Sequence, residues 1–369
     1  MKVIFSTDQV YLHGGIEKVM AEKATYFADV CGYEVVILTC EQRGKVPCYS
    51  MSSKIQFLDL GVNYVRSKSY FSVTNLVKVP RHLFQLRKTL HQLQADAVIV
   101  SNYGFDYYAM PFLNFKSKKI KEFHSSRYFE AQQRQENRSF IKHFFYKVTD
   151  WFASRYDHLV VLNKDEAAFY AAPNVVVIPN PIPMSAINAP LVAKQVVAAG
   201  RIAPVKGFDQ LIAAWKQVHL KFPEWELHIY GDDYVGTQSV LEDLIRENNL
   251  EKIILFKGSS NTMLTTFSGY SLYVMSSVTE CFPMVLLESL SVGLPIVSFD
   301  CPTGPRNIIQ NGVDGFLASS QDVEGLAEKI LLLIQNQELR ILFGQNAKRS
   351  SLQFSTPVVM KEWINLFHS

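Results

Sequence analysis

Four charged side chains stand where they could do chemistry. Arg201 and Lys206 fall in Gly200-Arg201-Ile202-Ala203-Pro204-Val205-Lys206-Gly207, directly after the β-rich run 194–199 and before a helical pattern over 208–222. Loops at the carboxyl ends of strands are where open α/β sheets bind ligands. Arg can grip a phosphate with two parallel N–H donors, and Lys adds a point charge. An isolated R-x-x-x-x-K is usually a solvated loop; its place after a strand gives this one its interest. Glu280 and Glu288 lie eight positions apart within 276–293, where a strand ends at Ser277, a loop carries Glu280, and Pro283 suits the first turn of a helix. Glu288 sits among Val285, Leu286, Leu287 and Leu290, so its carboxylate needs a partner. A nearby cation would serve, and so would the hydroxyls of a polyol such as ribose. Glu280 reads either as a ligand-binding group or as a helix-entry charge favoured by the dipole.

The familiar nucleotide signatures are missing. No G-x-G-x-x-G follows the first strand-like run, and no G-x-x-x-x-G-K-[ST] occurs. There is no D-x-D, and Asp232-Asp233 is adjacent rather than spaced, so a metal–carboxylate clamp has no obvious source. A nucleotide diphosphate would have to be neutralised by side-chain cations and backbone N–H groups. Gly14-Gly15, after the first strand-like run, would let a ligand approach the backbone and would open a helix N-terminus to an anion. A simple turn explains the pair equally well.

These residues must be positioned by alternating strands and helices. Strand-like runs fall at 2–7, 33–40, 55–60, 95–101, 118–124, 158–163 and 175–179, and again at 194–199, 225–230, 252–257, 272–276, 295–299 and 315–318. Several are unbroken apolar runs, as expected of strands buried on both faces. Helical patterns fall at 16–30, 81–94, 208–222, 238–249, 284–292, 304–311, 322–335 and 338–350. Strict alternation predicts an α/β chain with two doubly wound parallel sheets and a cleft between them. Pro179-Asn180-Pro181-Ile182-Pro183 is the candidate linker. The expected division is 1–180, 181–350, and a last helix in 351–369 that packs back on the first domain.

The length of 369 residues fits two domains at roughly 150 residues each. The net charge of +3 is too small to argue for nucleic acid. It hides an asymmetry: residues 1–185 hold 23 Lys/Arg and 16 Asp/Glu (+7), leaving 14 and 18 (−4) for 186–369. No apolar run is long enough to span a bilayer, and the N-terminal run is too short for a signal peptide. Five cysteines without a C-x-x-C pair suggest neither a disulfide framework nor a zinc site, so a reducing cytoplasmic environment is expected.

The positive charge concentrates in 115–147. Nine Lys/Arg (Lys116, Lys118, Lys119, Lys121, Arg127, Arg134, Arg138, Lys142, Lys147) face three acids, with aromatics interleaved. Such a stretch can lie on an anionic membrane, each basic residue adding about 1 kcal/mol. Alternatively the aromatics are core and the cations a solvated face. Lys116, Lys118, Lys119, Lys121 and Arg127 are the candidate membrane or acceptor patch, and Arg81, Arg87 and Lys88 could extend it. No nucleic-acid module is visible.

Two Rossmann-like halves, an early Gly-Gly loop, G-R-x-x-x-x-K-G, and E-x7-E with Phe282-Pro283 between the glutamates together resemble the GT-B glycosyltransferases of family 4. The resemblance covers the whole chain. Asp300-Cys301-Pro302-Thr303-Gly304-Pro305-Arg306 is similar to members that build bacterial surface polysaccharides or lipid-linked glycans. It implies a retaining, metal-independent enzyme with no cofactor, using a nucleotide-sugar donor, a UDP-sugar being favoured. Arg201 and Lys206 would hold the donor diphosphate, and Glu288 the ribose hydroxyls. Glu280 would meet a hydroxyl of the transferred sugar, with the donor-binding segment Phe282, Pro283, Met284 and Val285 completing the pocket through the backbone N–H groups around it. Gly14 and Gly15 would abut the sugar-phosphate, and His124, after the run 118–124, matches the family's active-site histidine. Many relatives carry Glu two places after the Gly-Pro pair, where this sequence has Asn307, so a charged role there is in doubt. No carboxylate stands out as a glycosidase-like nucleophile, and front-face attack is the mechanism the family suggests.

The expected function is transfer of a sugar to a glycan acceptor, lipid-linked through a polyprenyl diphosphate, at the inner face of the cytoplasmic membrane. The rivals are a nucleotide-sugar epimerase or hydrolase of the same fold, and a non-catalytic sugar-nucleotide-binding protein.

Overall fold

The computed structural model describes residues 1–113, 116–136, 139–260 and 262–369; Arg138 of the basic stretch lies outside them. The chain divides into two compact units, Met1–Pro181 with Val359–Ser369, and Ile182–Val358.

The first unit is built on one parallel sheet of β1 (Lys2–Thr7), β2 (Glu34–Thr39), β3 (Gln56–Asp59), β4 (Ala97–Val100), β5 (Lys118–Glu122), β6 (His158–Val161) and β7 (Val175–Val177), in the order β3-β2-β1-β4-β5-β6-β7. The two-residue period of a strand sends alternate side chains to opposite faces. Val3 and Phe5 enter one core with Met20 and Phe27 of the helix Gly15–Asp29, while Ile4 enters the other with Leu86 and Leu90 of the helix Val79–Leu93. Both faces are dry, which explains why β1, β2 and β4 read as unbroken apolar runs. The helix Thr356–His368 belongs to the first core. Val359, Met360, Trp363 and Phe367 are buried there, and Phe367 packs against Phe27 with ring centroids 5.2 Å apart.

The second unit carries β8 (Gln195–Ala199), β9 (Glu226–Tyr230), β10 (Ile254–Phe256), β11 (Leu272–Met275), β12 (Ile296–Asp300) and β13 (Gly315–Ser319), all parallel, in the order β10-β9-β8-β11-β12-β13. Leu211, Ile212, Trp215 and Val218 of the helix Phe208–Lys221 bury their apolar stripe against Val196, Ala198 and Val274.

Both sheets share one logic. The chain begins in the middle, steps outward to one side, and returns to the other side of its starting strand. Between β1 and β4, and between β8 and β11, the loops at the strands' carboxyl ends therefore diverge. These are the topological switch points where open α/β sheets bind ligands. The α/β, doubly wound expectation holds for both units.

Two local expectations fail and one open reading is decided. The pattern at 304–311 is only a 3-10 turn, Pro305–Asn307. Gly304 packs so closely on Glu280 that a Cβ there would lie 2.8 Å from the glutamate's own Cβ, and Asn307 Nδ2 donates to the Thr303 carbonyl at 2.6 Å, closing the chain into a turn. The fifth strand ends at Glu122, two residues short of His124. The aromatics of 140–152, left open between core and surface, divide: Phe140, Phe144, Phe145 and Trp151 are exposed, while Phe152 packs against the core. Among the described residues, no helix is long and apolar enough to cross a membrane.

Candidate active site

The switch point of the second unit collects the sequence-nominated charges. The loop after β8 brings Lys206, and the loop after β11 brings Glu280; their Nζ and Oε1 are 2.5 Å apart, both mostly shielded from water. Ser277 Oγ donates to the same Oε1 at 2.8 Å. The two loops are stitched together by Val278 N to Val205 O at 2.9 Å and by Ser276 Oγ to Lys206 O at 2.9 Å. Glu280 is fixed from its other side by a backbone bridge to Thr303, whose hydroxyl donates to the Glu280 carbonyl at 2.8 Å. Arg201 is exposed on the same loop after β8 that carries Lys206.

Gly207 makes the arrangement possible. Its φ is +59°, and a Cβ there would lie 2.2 Å from the Ser276 carbonyl oxygen. A left-handed conformation alone costs an L-residue about 1–2 kcal/mol, and this clash adds to it. Gly207→Ala should therefore lower the thermal unfolding midpoint measurably. An unchanged midpoint would mean that the Lys206 loop tolerates a side chain.

Glu288 is buried on the helix Met284–Ser291, as its apolar surroundings require. Its charge and that of Glu280 both act on Tyr273, whose phenol is raised, by burial first and by these carboxylates next. Pro283 is the helix's N-cap residue, Met284 and Val285 start its first turn, and Phe282 turns its ring inward onto Phe354 at 5.7 Å. Asn307 uses its amide to hold Thr303, the residue that pins Glu280, and so supports the site from behind.

In the first unit, Gly14 is the extended N-cap residue of the helix Gly15–Asp29. A Cβ on Gly14 would meet the Glu17 carboxylate at 2.3 Å, whereas one on Gly15 would meet no protein atom within 4 Å. The fold itself does not demand glycine at Gly15. His124 Nε2 lies 3.2 Å from Glu122 Oε2, and Glu122 Oε1 lies 2.5 Å from Lys23 Nζ. Burial alone would raise the Glu122 carboxyl, but Lys23 and His124 outweigh it and hold it well below the usual carboxylate range.

The expected basic patch is not one surface. Lys121 is fully buried, its Nζ 2.5 Å from the Asn102 carbonyl and under the rings of Tyr103 and Phe123 at 4.7 and 4.9 Å. Burial pushes its ammonium down to about 7, so it is no reliable cation at neutral pH. Arg127 is buried too, stacked 4.1 Å over Tyr170 and bonded to Asp150 at 3.1 Å. Lys118 donates to the carbonyls of Leu366 and Ser369 at 3.0 and 2.5 Å, capping the last helix at its negative end. Lys119 reaches toward the Pro111 carbonyl, and Lys116 is exposed. The reason is strand geometry: Lys-Lys-Ile-Lys lies in a central strand, whose faces alternate and are both covered. Sequence reasoning also passed over Asp8, Glu17 and Asn102, which line a cavity at the β1/β4 switch point. Asp8 directly follows the first strand, and that position was the available signal.

Two family models match in tandem, Glycosyltransferase Family 4 over residues 13–186 and Glycosyl transferases group 1 over 184–350. The chain belongs to these glycosyltransferases. An uncharacterized glycosyltransferase of Haemophilus influenzae is 27% identical to this group 1 glycosyltransferase over 358 residues, 95% of each chain. A Staphylococcus aureus poly(ribitol-phosphate) alpha-N-acetylglucosaminyltransferase is 30% identical over 46% of this chain but only 34% of its own length. Among solved structures, a mutant of S. aureus TarM in complex with fondaparinux, alpha-GlcNAc-glycerol and UDP superposes with a TM-score of 0.79 at 18% identity, over 100% of both chains. Anabaena HepE in complex with UDP and glucose gives 0.76 at 17%, again over 100% of both. These likenesses establish the GT-B fold of the group 1 glycosyltransferase.

Proposed function

We propose that this glycosyltransferase is a retaining enzyme that takes a sugar from a UDP-sugar and passes it to a lipid-linked glycan acceptor. The observation that carries the reading is the pairing of Lys206 with Glu280 at the β8/β11 switch point, with Arg201 exposed on the same loop as Lys206. The UDP in TarM and HepE supports the choice of nucleotide.

Each residue then has a task. Arg201 and Lys206 bind the diphosphate. The phosphate oxygens draw Lys206 away from Glu280, which frees that carboxylate for a sugar hydroxyl. Glu288 takes the ribose hydroxyls. The amides of Phe282, Met284 and Val285 face the sugar, and Gly14, Gly15 and His124 keep the donor-contacting roles that the family resemblance implies. As the bond from C1 to the phosphate oxygen breaks, the acceptor oxygen bonds to C1 on the same face. The acceptor's proton passes to the departing phosphate oxygen. Negative charge builds on the diphosphate as the reaction proceeds, so fixed cations there stabilise the transition state more than the ground state. With both cations supplied by side chains, turnover of a UDP-sugar should persist in EDTA; a strict divalent requirement would contradict this assignment.

Peripheral membrane attachment is assigned to a different face from the one expected. On the helix Phe140–Ala153, Phe140, Ile141, Phe144 and Phe145 are exposed, Phe140 at 84%, alongside Lys142 and Lys147. Trp151 at its far end stacks on Phe112, and Phe152 meets Tyr108, which in turn meets Phe71, so exposed aromatics continue to the segment before the helix Val79–Leu93. Residues 60–95 hold six Lys/Arg and no Asp or Glu. Charge and aromatic character together suit the headgroup region of an anionic bilayer. Replacing Phe140, Phe144 and Phe145 with Ser should release the protein from phosphatidylglycerol vesicles in a sedimentation assay. Replacing Lys116 and Lys119 with Gln should have little effect. Equal retention of the triple variant, or self-association through this face in its place, would contradict the assignment.

A further inference from the structure

A left-handed backbone is rare at a β-branched residue, and such outliers gather where function over-determines the chain. Among the described residues, Thr303 is the one β-branched residue with a positive φ, at +71°. It lies in the loop after β12 and is only 4% exposed. We propose that Thr303 is a positioning residue for Glu280: its left-handed backbone and its hydroxyl hold the Glu280 main chain in place, so that the carboxylate stays directed at the donor sugar once Lys206 turns to the diphosphate. The assignment rests on the transferase reading, in which Glu280 meets a hydroxyl of the transferred sugar.

Glu280 belongs to no helix or regular strand, so its neighbours must fix it. Its carboxylate accepts from Lys206 Nζ at 2.5 Å and from Ser277 Oγ at 2.8 Å, both on Oε1. Diphosphate binding removes the first of these. Ser277 stands three residues back on the same loop and moves with it. Thr303 acts from outside the loop. It arrives from 23 residues further on, pairs its backbone with Glu280 in a parallel bridge, and donates its hydroxyl to the Glu280 carbonyl at 2.8 Å. This restraint bears on the main chain, so it persists whatever partner the carboxylate takes.

The turn around Thr303 is held on both sides. Asn307 Nδ2 donates to the Thr303 carbonyl at 2.6 Å, and Arg306 binds Asp300 at the end of β12 through two bonds of 2.8 Å. Gly304 presses on Glu280, where a Cβ would lie 2.8 Å from the glutamate's Cβ and 3.0 Å from its carbonyl oxygen. These contacts fix φ at Thr303 against the residue's own preference. Glycine would adopt +71° without strain but has no hydroxyl to offer. Threonine supplies the hydroxyl and carries the strain, which makes the bond to Glu280 the property that this position serves.

Thr303→Ser, Thr303→Ala and Thr303→Gly in the full chain separate the hydroxyl from the backbone. The assay is release of UDP from UDP-glucose, UDP-galactose or UDP-N-acetylglucosamine with water in the acceptor's place, the fastest of the three serving as probe and UDP as competitive inhibitor. Thr303→Ala and Thr303→Gly should each lower kcat tenfold or more, since a small misplacement of a reacting contact has effects of this size. The inhibition constant of UDP should stay within twofold of wild type in both, and Thr303→Ser should keep kcat within threefold. The thermal midpoint should follow the backbone instead: Thr303→Gly should melt above Thr303→Ala, because glycine alone takes this φ freely. A merely structural role would make activity follow the midpoint. Wild-type kcat in Thr303→Ala, no recovery in Thr303→Ser, UDP inhibition weakened as much as kcat, or a glycine variant melting no higher than the alanine variant would overturn the proposal. Glu280→Gln tells the two claims apart. An impaired Glu280→Gln beside an unimpaired Thr303→Ala removes the positioning role and leaves the transferase reading standing. An unimpaired Glu280→Gln, or a wild type that releases UDP from none of the three, removes the reading and the positioning role with it.

Discussion

Arg201→Ala and Lys206→Ala should each lower kcat about 10²–10³-fold, the loss typical when one preorganised charge-stabilising group is removed. The folded state should be little affected by the first change. Arg201 is exposed, with its side chain free of any core role. The second change leaves Glu280 without its cation, but Ser277 still donates to the carboxylate and Thr303 still holds the backbone. A modest fall in unfolding midpoint is expected there, far smaller than the kinetic loss. Lys206→Arg should recover part of the activity, because it keeps the charge but not the compact ammonium that fits beside Gly200. Near-normal turnover in both alanine variants would remove the diphosphate role.

Glu122→Gln should destabilise the first unit by about 3–5 kcal/mol, measured by urea unfolding. Lys23 and Glu122 are both almost wholly buried, and removing one partner leaves the other's charge in a dry core. Lys23 also lies 4.2 Å over the Trp363 ring, so the ion pair secures the last helix against the sheet. The double variant Lys23→Met/Glu122→Met should recover most of the loss, since an apolar pair of similar size carries no unmet charge. The pH dependence follows from the lowered Glu122 carboxyl. Its stabilisation is present above the ordinary value of 4.5 and is lost as pH falls below that toward the lowered folded value. Glu122→Gln should therefore flatten the acid limb of the stability curve. Wild-type stability in the single variant would mean the pair is solvated.

The strands were legible because parallel strands covered on both faces must be apolar at nearly every position, and runs such as Ala97-Val98-Ile99-Val100 have no other economical explanation. The E-x7-E block was legible for a related reason: a carboxylate amid Leu286, Leu287 and Leu290 is conspicuous. What misled was charge density taken along the chain. Lys118, Lys119 and Lys121 look like one patch in sequence, yet a central strand sends them to different surroundings. The helix Phe140–Ala153 was left open, because a periodic aromatic stripe looks the same whether it faces a core or the outside. The cavity of Asp8, Glu17 and Asn102 was passed over because its members come from two strand-end loops and the start of a helix. Only the strand order brings the ends of β1 and β4 side by side.

The central claim is that the β8/β11 switch point of the second unit holds the donor nucleotide. Isothermal titration of UDP into the full chain in the presence of EDTA tests it most directly, with wild type, Arg201→Ala and Glu288→Gln compared. The account predicts saturable 1:1 binding to wild type, weakened tenfold or more by each substitution. No binding to wild type, or binding that neither substitution weakens, would contradict it.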